Sequence, residues 1–473
     1  MPKKYHIHVK PTRPRFTPVG KSGVMDWQEG CLKCKRCAKK ICVYEVYNVR
    51  AFDSYQLADS IDYFCKNCFR CVQTCPAGLI VKTINPEYIE MGDAYWTPDI
   101  ISDIWYQAET GKIPVSGAGY GGPFVGDGFD DMWTDMSEIV RPTRDGIHGR
   151  EYINTSIDLG RKPSYLSFDA KGKLISEPPS LVGIPLPIIF GELPVGNLNE
   201  TIYLAIAQAA NNLGTFLVAT PEMYGNFLRP YAQNIIPLLS EEALNKNLEL
   251  VHEARIIALP YSETIKQGIE RIRAAGSKAP VLVKLPLTPK AKELVTQLTM
   301  QGVDIIHVYA DTHGRELESP SPRFIKEMVM EIHLHLVEKQ MRDQVTLLAS
   351  GGIAMAEHVA KTIICGADGV IIDLPLLVAL ECRLCRDCFQ DRPCPVEIQD
   401  IEPDWGAQRI VNFMGAWHGQ LLEILGAMGL REVQRLRGEM GRAMFYRDLE
   451  RETFGAIFGK NGGRIFGKNG GRN

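Results

Sequence analysis

VTLLASGGIAMAEHVAKTIICGADGVIID, residues 345–373, decides the fold. VTLLASGG reads as a strand ending at a glycine turn, AEHVAKTIICG as a helix, and DGVIID as the start of a second strand. A strand, a crossover helix and another strand place the two strands parallel in one sheet.

The same alternation extends back to about residue 181. LPIIFGE (186–192), TFLVATPE (215–222), VLVKLPL (281–287) and VDIIHVYAD (303–311) read as strands, with NIIPLLS (234–240) and ARIIALP (254–260) as weaker ones. NETIYLAIAQAANNLG (199–214), KAKELVTQLTMQG (290–302) and RFIKEMVMEIHLHLVEKQM (323–341) read as helices, and DGVIIDLPL (368–376) as the last strand. About eight such units in roughly 200 residues predict an α/β chain folded as a closed (β/α)8 TIM-type barrel. An open doubly wound sheet is the alternative.

In such barrels chemistry sits at the C-terminal ends of the strands. Ser350, Gly351 and Gly352 end one strand and precede a helix, a turn suited to a phosphate. Taken alone, a simple helix-start turn explains them equally well. Lys284 lies inside an apolar strand and needs an anionic partner. A reduced flavin's pyrimidine edge would supply one, and so would a structural ion pair.

Twelve of the 13 cysteines fall in three tight groups, and Cys365 stands alone at a helix end as a buried apolar thiol. Clustering of this kind argues for metal in a reducing compartment, here the cytoplasm, rather than a disulfide framework. CKNCFRCVQTCP, with Cys65, Cys68, Cys71 and Cys75 before Pro76, matches the two-cluster ferredoxin run, in which the fourth cysteine ligates the other cluster. CLKCKRCAKKIC supplies Cys31, Cys34, Cys37 and Cys42. The expected ligand sets are therefore Cys31, Cys34, Cys37 and Cys75 for one [4Fe-4S] cluster, and Cys65, Cys68, Cys71 and Cys42 for the other. A pair of zinc sites is disfavoured, since zinc uses paired C-x2-C knuckles across a longer gap.

The formal net charge of −3 gives no drive toward nucleic acid, and no apolar run is long enough for a membrane span. The basic N-terminus, MPKKYHIHVKPTRPR, lacks the apolar run of a secretory signal and reads as a solvated tail. GAGYGG (117–122) fits G-x-G-x-x-G, but Pro123 and VGDGFDD follow it, so it reads as loop. Nicotinamide, if it is the electron source, would then bind a partner. The C-terminal repeat, 457–464 and again 465–472, reads as a flexible basic tail.

Residues 337–373, with PIIFGELPVGNLNETIYLAIAQAANNLG (187–214), resemble the FMN-binding barrel of glutamate synthases. ETGKIPVSGAGYGG, FDDMW and YINTSIDLGRKP resemble the stretch before that barrel, and VNFMGAWHGQLLEILGAMGLREVQRLRGEMGRAM the segment after it. The two-cluster module resembles the archaeal-type, split form. The resemblance implies an oxidoreductase that carries FMN beside an iron–sulfur cluster. By position, Ser350, Gly351 and Gly352 would hold the phosphate and Lys284 would face the ring. Gly191, Glu192 and Thr220 would lie near the isoalloxazine, and Glu222 would match a family glutamate. His313, at a strand end, is a candidate acid or substrate contact.

CRLCRDCFQDRPCP (382–395) follows the last strand, where the family places a three-iron cluster on cysteines spaced x5 and x4. Here Cys382, Cys388 and Cys394 give x5 and x5, and the additional Cys385 favours [4Fe-4S] over [3Fe-4S].

The chain also departs from the family. Where the fourth strand should carry K-x-x-Q-G-A-K-P-G it reads ARIIALPYSET, with Arg255 near the place of one lysine. ADTHGRELESP replaces a G-G-T-G-A turn, and Ala354, Met355 and Ala356 replace R-T-G. Two functions follow. One is reductive glutamate synthesis from 2-oxoglutarate, with other redox subunits (an NAD(P)H-flavoprotein or ferredoxin as donor) and a glutaminase partner where glutamine is the nitrogen source. The other is an FMN and iron–sulfur electron-transfer subunit without that activity. The expected domains are 1–95 (tail and ferredoxin-like module), 96–180 (connecting segment), 181–395 (barrel and third cysteine motif) and 396–473 (helical extension and tail).

Overall fold

The structure is a computed structural model. It describes residues 5–26, 67–113, 128–134, 153–163, 166–175, 180–194, 199–224, 227–390 and 392–449, with separate positions between 30 and 65. Cys37, GAGYGG and the C-terminal repeat lie outside the described residues.

Eight parallel strands form the barrel: β1 (Ile188–Phe190), β2 (Leu217–Ala219), β3 (Ile235–Pro237), β4 (Ile257–Pro260), β5 (Val281–Pro286), β6 (Ile305–Tyr309), β7 (Thr346–Ser350) and β8 (Gly369–Ile372). They hydrogen-bond in sequence around the ring, and β8 pairs with β1 through Val370 opposite Ile188. A parallel bridge between Leu238 and Ala258, with Leu239 N–H donating to Ala258 O at 2.8 Å, closes the ring between β3 and β4. The sheet is therefore a (β/α)8 barrel and not an open doubly wound one. The two weaker strand candidates are β3 and β4. Each is three or four residues long and buried, so neither displays alternation.

The main helices are α1 (Pro98–Thr110), α2 (Glu200–Leu213), α3 (Ile265–Ala274), α4 (Ala291–Met300), α5 (Ile325–Glu338), α6 (Ala356–Ile364), α7 (Leu374–Ala379) and α8 (Pro403–Ala427). Local chemistry sets their ends. The side chains of Thr97 and Asn199 cap the first turns of α1 and α2, and left-handed Gly111 and Gly214 end them. DLPL, read as part of the last strand, instead starts α7: Asp373 accepts from Leu374 N–H and Pro375 occupies the first turn. SETIKQGIERIRAAG, read as neither strand nor helix, contains α3, whose apolar stripe is narrow but buries Ile265 and Ile272.

α8 packs across α1 and α2 and buries Phe413 and Trp417. Burying side chains of this size contributes about 1.5–3 kcal/mol each. The N-terminal segment differs from the expected solvated tail, because its backbone and apolar side chains find partners on α8. Asn412 exchanges hydrogen bonds with Lys10 N–H (2.9 Å) and Lys10 O (2.8 Å), and Val9 packs on Gly415. Trp405 donates to Arg13 O at 2.9 Å. At the opposite end of the barrel, an antiparallel pair, Ile157–Leu159 with Val182–Ile184, lies against the starts of β7 and β8. Thr346 Oγ1 donates to Gly160 O at 2.8 Å, and Ile157 packs on Gly369.

Candidate active site and cysteine cavity

A cavity of about 490 Å³ opens at the C-terminal ends of the strands. Alternate residues of each strand point into it: Leu282 and Lys284 from β5, His307 and Tyr309 from β6, Ile371 and then Asp373 beyond β8. Lys284 bonds the Glu192 carboxylate and lies 5.1 Å from the centre of the Tyr309 ring. The anionic partner that its apolar strand demands is thus present within the chain. His307 Nε2 pairs with Ser350 Oγ at 2.7 Å. Burial, with Lys284 nearby, pushes that imidazole down to about 3, so it is neutral. Burial pushes the Asp373 carboxyl up to about 6, opposed by the bond from Leu374 N–H.

Of the residues expected from sequence, Gly191, Glu192, Lys284 and Ser350 line this cavity together. A Cβ on Gly191 would sit 2.8 Å from Ile371 Cγ2, so a larger residue there would force Ile371 to shift. Gly351 and Gly352 are left-handed, with φ of +106° and +67°. Their Cβ positions are filled by the chain itself: Asp311 O lies 2.6 Å from the one, and Gly314 N 2.8 Å from the other. The Tyr95 hydroxyl donates to Gly352 O and fixes the turn. Thr220 and Glu222 lie past the end of β2, outside the lining. Glu222 is exposed, and a hydrogen bond with Thr220 holds its carboxyl below the ordinary range.

His313 does not line the cavity either. Its Nε2 pairs with Asp93 Oδ2 at 2.9 Å, and the same oxygen accepts from Arg386 at 2.5 Å. Arg255 precedes β4 at the opposite end of the barrel and lies over the Phe216 ring. Sequence reasoning missed His307, Tyr309 and Asp373. The signal that would have found them is the one that singled out Lys284, a polar side chain at an inward position of an apolar strand.

A second cavity, about 370 Å³, is lined by Cys382, Cys385, Cys388 and Cys394 together with Trp96, Leu374 and Leu377. Thr312 lines both cavities. Burial pushes the Cys382 thiol up to about 12, so its ionisation requires a cation. Four sulfurs around one apolar hollow fit an iron–sulfur cluster. The backbone adds a second sign of fit. In CRLCRDC the residues flanking the middle cysteine, Leu384 and Arg386, have φ of +50° and +63°. In CKNCFRC the equivalent Asn67 and Phe69 have φ of +54° and +57°. Left-handed non-glycine residues are strained, and their recurrence at the same two places marks one loop conformation used twice.

Residues 86–96, which follow the second cysteine set, abut this loop. Gly92 N–H donates to Arg383 O at 3.2 Å, Glu87 and Arg383 approach to 3.9 Å, and Asp93 holds Arg386. Within the N-terminal module Cys42, Cys65, Cys71 and Cys75 pack around Val46 and Ile80. Lys82 Nζ lies 2.5 Å from Cys65 Sγ, and Leu79 N–H 3.4 Å from Cys75 Sγ. Cys31, Cys34 and Cys68 are exposed.

Residues 248–431 match the family model described as the conserved region in glutamate synthase. An archaeal-type glutamate synthase [NADPH] from Dehalococcoides mccartyi is 25% identical over 480 residues, covering 87% of this chain and 92% of that protein. An archaeal glutamate synthase [NADPH] from Archaeoglobus fulgidus is 25% identical over 499 residues, covering 90% and 95%. A ferredoxin-dependent glutamate synthase from Pyropia yezoensis is 27% identical over 190 residues, covering 37% of this chain and 12% of that protein. The closed barrel thus lies in a chain that is similar to archaeal-type glutamate synthases over most of its length and carries the conserved glutamate synthase region at residues 248–431.

Proposed function

We propose that the barrel mouth holds FMN, and that the Cys382–Cys394 cavity holds an iron–sulfur cluster delivering electrons to it from the two N-terminal cysteine sets. The observation that carries this reading is the common wall: one residue, Thr312, lines both cavities. Contacts of residues 86–96 with the Cys382–Cys394 loop support the earlier part of the path. Bound FMN would supply exchange between one- and two-electron carriers. Lys284 would face the ring with Glu192 and Gly191 beside it, and Ser350 with the turn at Gly351 and Gly352 would take the phosphate. Thr220 and Glu222 would act from the rim. His313 would act through Asp93, holding the cysteine loop over the barrel.

The third cluster is read as [4Fe-4S], with Cys382, Cys385, Cys388 and Cys394 as ligands. The repeated left-handed pattern supports this, because it gives CRLCRDC the loop shape of the ferredoxin-type run. Other redox subunits would supply the electrons. The second reading, electron transfer without glutamate formation, gains support from β4. Its inward positions bring no cation to the mouth, and Arg255 lies at the far end.

The test is anaerobic purification with iron, sulfide and flavin analysis, followed by electron paramagnetic resonance of the oxidised and reduced protein. The expected result is one FMN and three four-iron clusters per chain. A three-iron signal in the freshly isolated wild type, unchanged in Cys385→Ser, would overturn the nuclearity. Absence of flavin from iron-loaded protein would overturn the barrel assignment. Reduced viologen with 2-oxoglutarate and ammonia then separates the two functions by whether glutamate forms.

A further inference from the structure

The charges facing the barrel mouth are unbalanced. Glu192, Asp311 and Asp373 line the cavity, and among the described residues Lys284 is the one lysine or arginine that does. Lys284 is already committed to Glu192. The imidazole of His307 is neutral and tied to Ser350. Asp311 accepts from the N–H groups of His313 (2.8 Å) and Arg315 (2.7 Å), which orient its carboxylate without supplying a countercharge. Asp373 is held by backbone groups, Leu374 N–H at 2.6 Å and its own N–H. Burial raises its carboxyl, and the Lys284 ammonium, shared with Glu192, offsets this only in part.

Among the described residues, a dicarboxylate entering here would meet carboxylates with no free guanidinium or ammonium to receive it, and anionic ligands are recognised through such groups. A cofactor phosphate at the Ser350 turn would add to the negative charge.

We infer that the ligand admitted to the barrel mouth beside the cofactor is uncharged or cationic, and that Asp373 is the residue that excludes dicarboxylates. The inference rests on the proposal that FMN occupies this cavity. An unpaired like charge within a few ångströms in a part-buried site costs enough to weaken binding by about tenfold or more.

The test uses the holoprotein and a charge series on one five-carbon skeleton: glutarate, glutaramate, glutaramide and 5-aminopentanamide. Binding is read from the flavin difference spectrum and from the shift in melting temperature, without turnover. The expected order runs from tightest for the cation to weakest for glutarate, with at least about a tenfold gap between glutaramide and glutarate. Asp373→Asn should narrow that gap by about tenfold. Glutarate or 2-oxoglutarate binding more tightly than glutaramide to the wild type would overturn the inference, as would an unchanged gap in a folded Asp373→Asn protein. If that variant does not fold, the wild-type series alone decides. Protein without flavin would instead defeat the cofactor reading, so the two failures are distinguishable.

Discussion

Acid should destabilise this protein steeply between pH 7 and pH 5, through three buried histidines and one half-buried one. His307 and His358 are pushed down to about 3, and His333 and His418 to about 4, with burial the largest cause in each. Their surroundings explain why. His307 is committed to Ser350, and His358 Nδ1 accepts from Ala354 N–H at 3.1 Å while the ring stacks on Phe129. His333 Nδ1 accepts from Arg342 Nε at 3.1 Å, and His418 pairs with Thr155 Oγ1 at 3.2 Å. The unfolded chain takes up protons near pH 6.5 while the folded chain does not, so stability is present above that pH and falls as pH drops toward the folded values. From pH 7 to pH 5 each histidine costs about 2 kcal/mol or slightly less, and the four together cost about 7–8 kcal/mol. Asp373 acts in the opposite sense. Its folded value of about 6 lies above its unfolded one, so protonation on acidification returns about 1 kcal/mol. The loss from these five groups, about 6 kcal/mol, rivals the whole stability of many domains. Urea unfolding of the holoprotein at half-unit pH steps under anaerobic conditions measures it. His418→Phe should flatten the slope by roughly a quarter. A loss below about 2 kcal/mol between pH 7 and pH 5 would show that these histidines do not stay neutral in the folded state and would refute the argument.

Gly352→Ala places a methyl at φ +67° and 2.8 Å from Gly314 N, and should cost about 1–3 kcal/mol in urea unfolding at pH 7.5. Lys284→Met leaves the Glu192 carboxylate facing the cavity without its cation. It should destabilise by more than the Lys284→Met, Glu192→Gln double variant, with a coupling of about 1–3 kcal/mol read from the double-mutant cycle. Asp93→Ala removes the link between Arg386 and His313. It should slow flavin reduction by the clusters at least about tenfold in stopped-flow absorbance, while iron and flavin contents stay at wild-type levels.

Where the barrel strands lie could be read from the sequence because each is a short apolar run closed by turn residues. The short β3 and β4 were faint, yet they carry the same burial as the rest. What escaped reading depended on partners distant in the chain. MPKKYHIHVKPTRPR has the composition of a solvated tail, and nothing local announces that Asn412 of α8 will bond Lys10 on both sides. The IKQGIERIRA of α3 looks too polar for a packed helix, because only the side toward β4 and its neighbours is covered. There Gly268 lets Leu259 and Leu244 approach.

The candidate site divides along the same line, and the reason is parity. A strand residue faces the barrel interior or the helices according to whether it is an even or odd step from a known inward neighbour. Lys284 is inward. β5 and β6 pair with Lys284 opposite His307, so His307 and, two residues on, Tyr309 must be inward as well. Ile371 is inward on β8, which carries Asp373 to the mouth by the same step of two. His307, Tyr309 and Asp373 therefore follow from one correctly placed lysine and the strand register. Glu222 and His313 lie three and four residues beyond the last residues of β2 and β6, where the period of two no longer applies and loop geometry decides. His313 turns toward Asp93 and the cysteine loop, and Glu222 turns to solvent. A polar residue inside an apolar strand was therefore the reliable pointer to the cavity. Proximity to a strand end led instead to the neighbouring structure that holds the second cavity against the first.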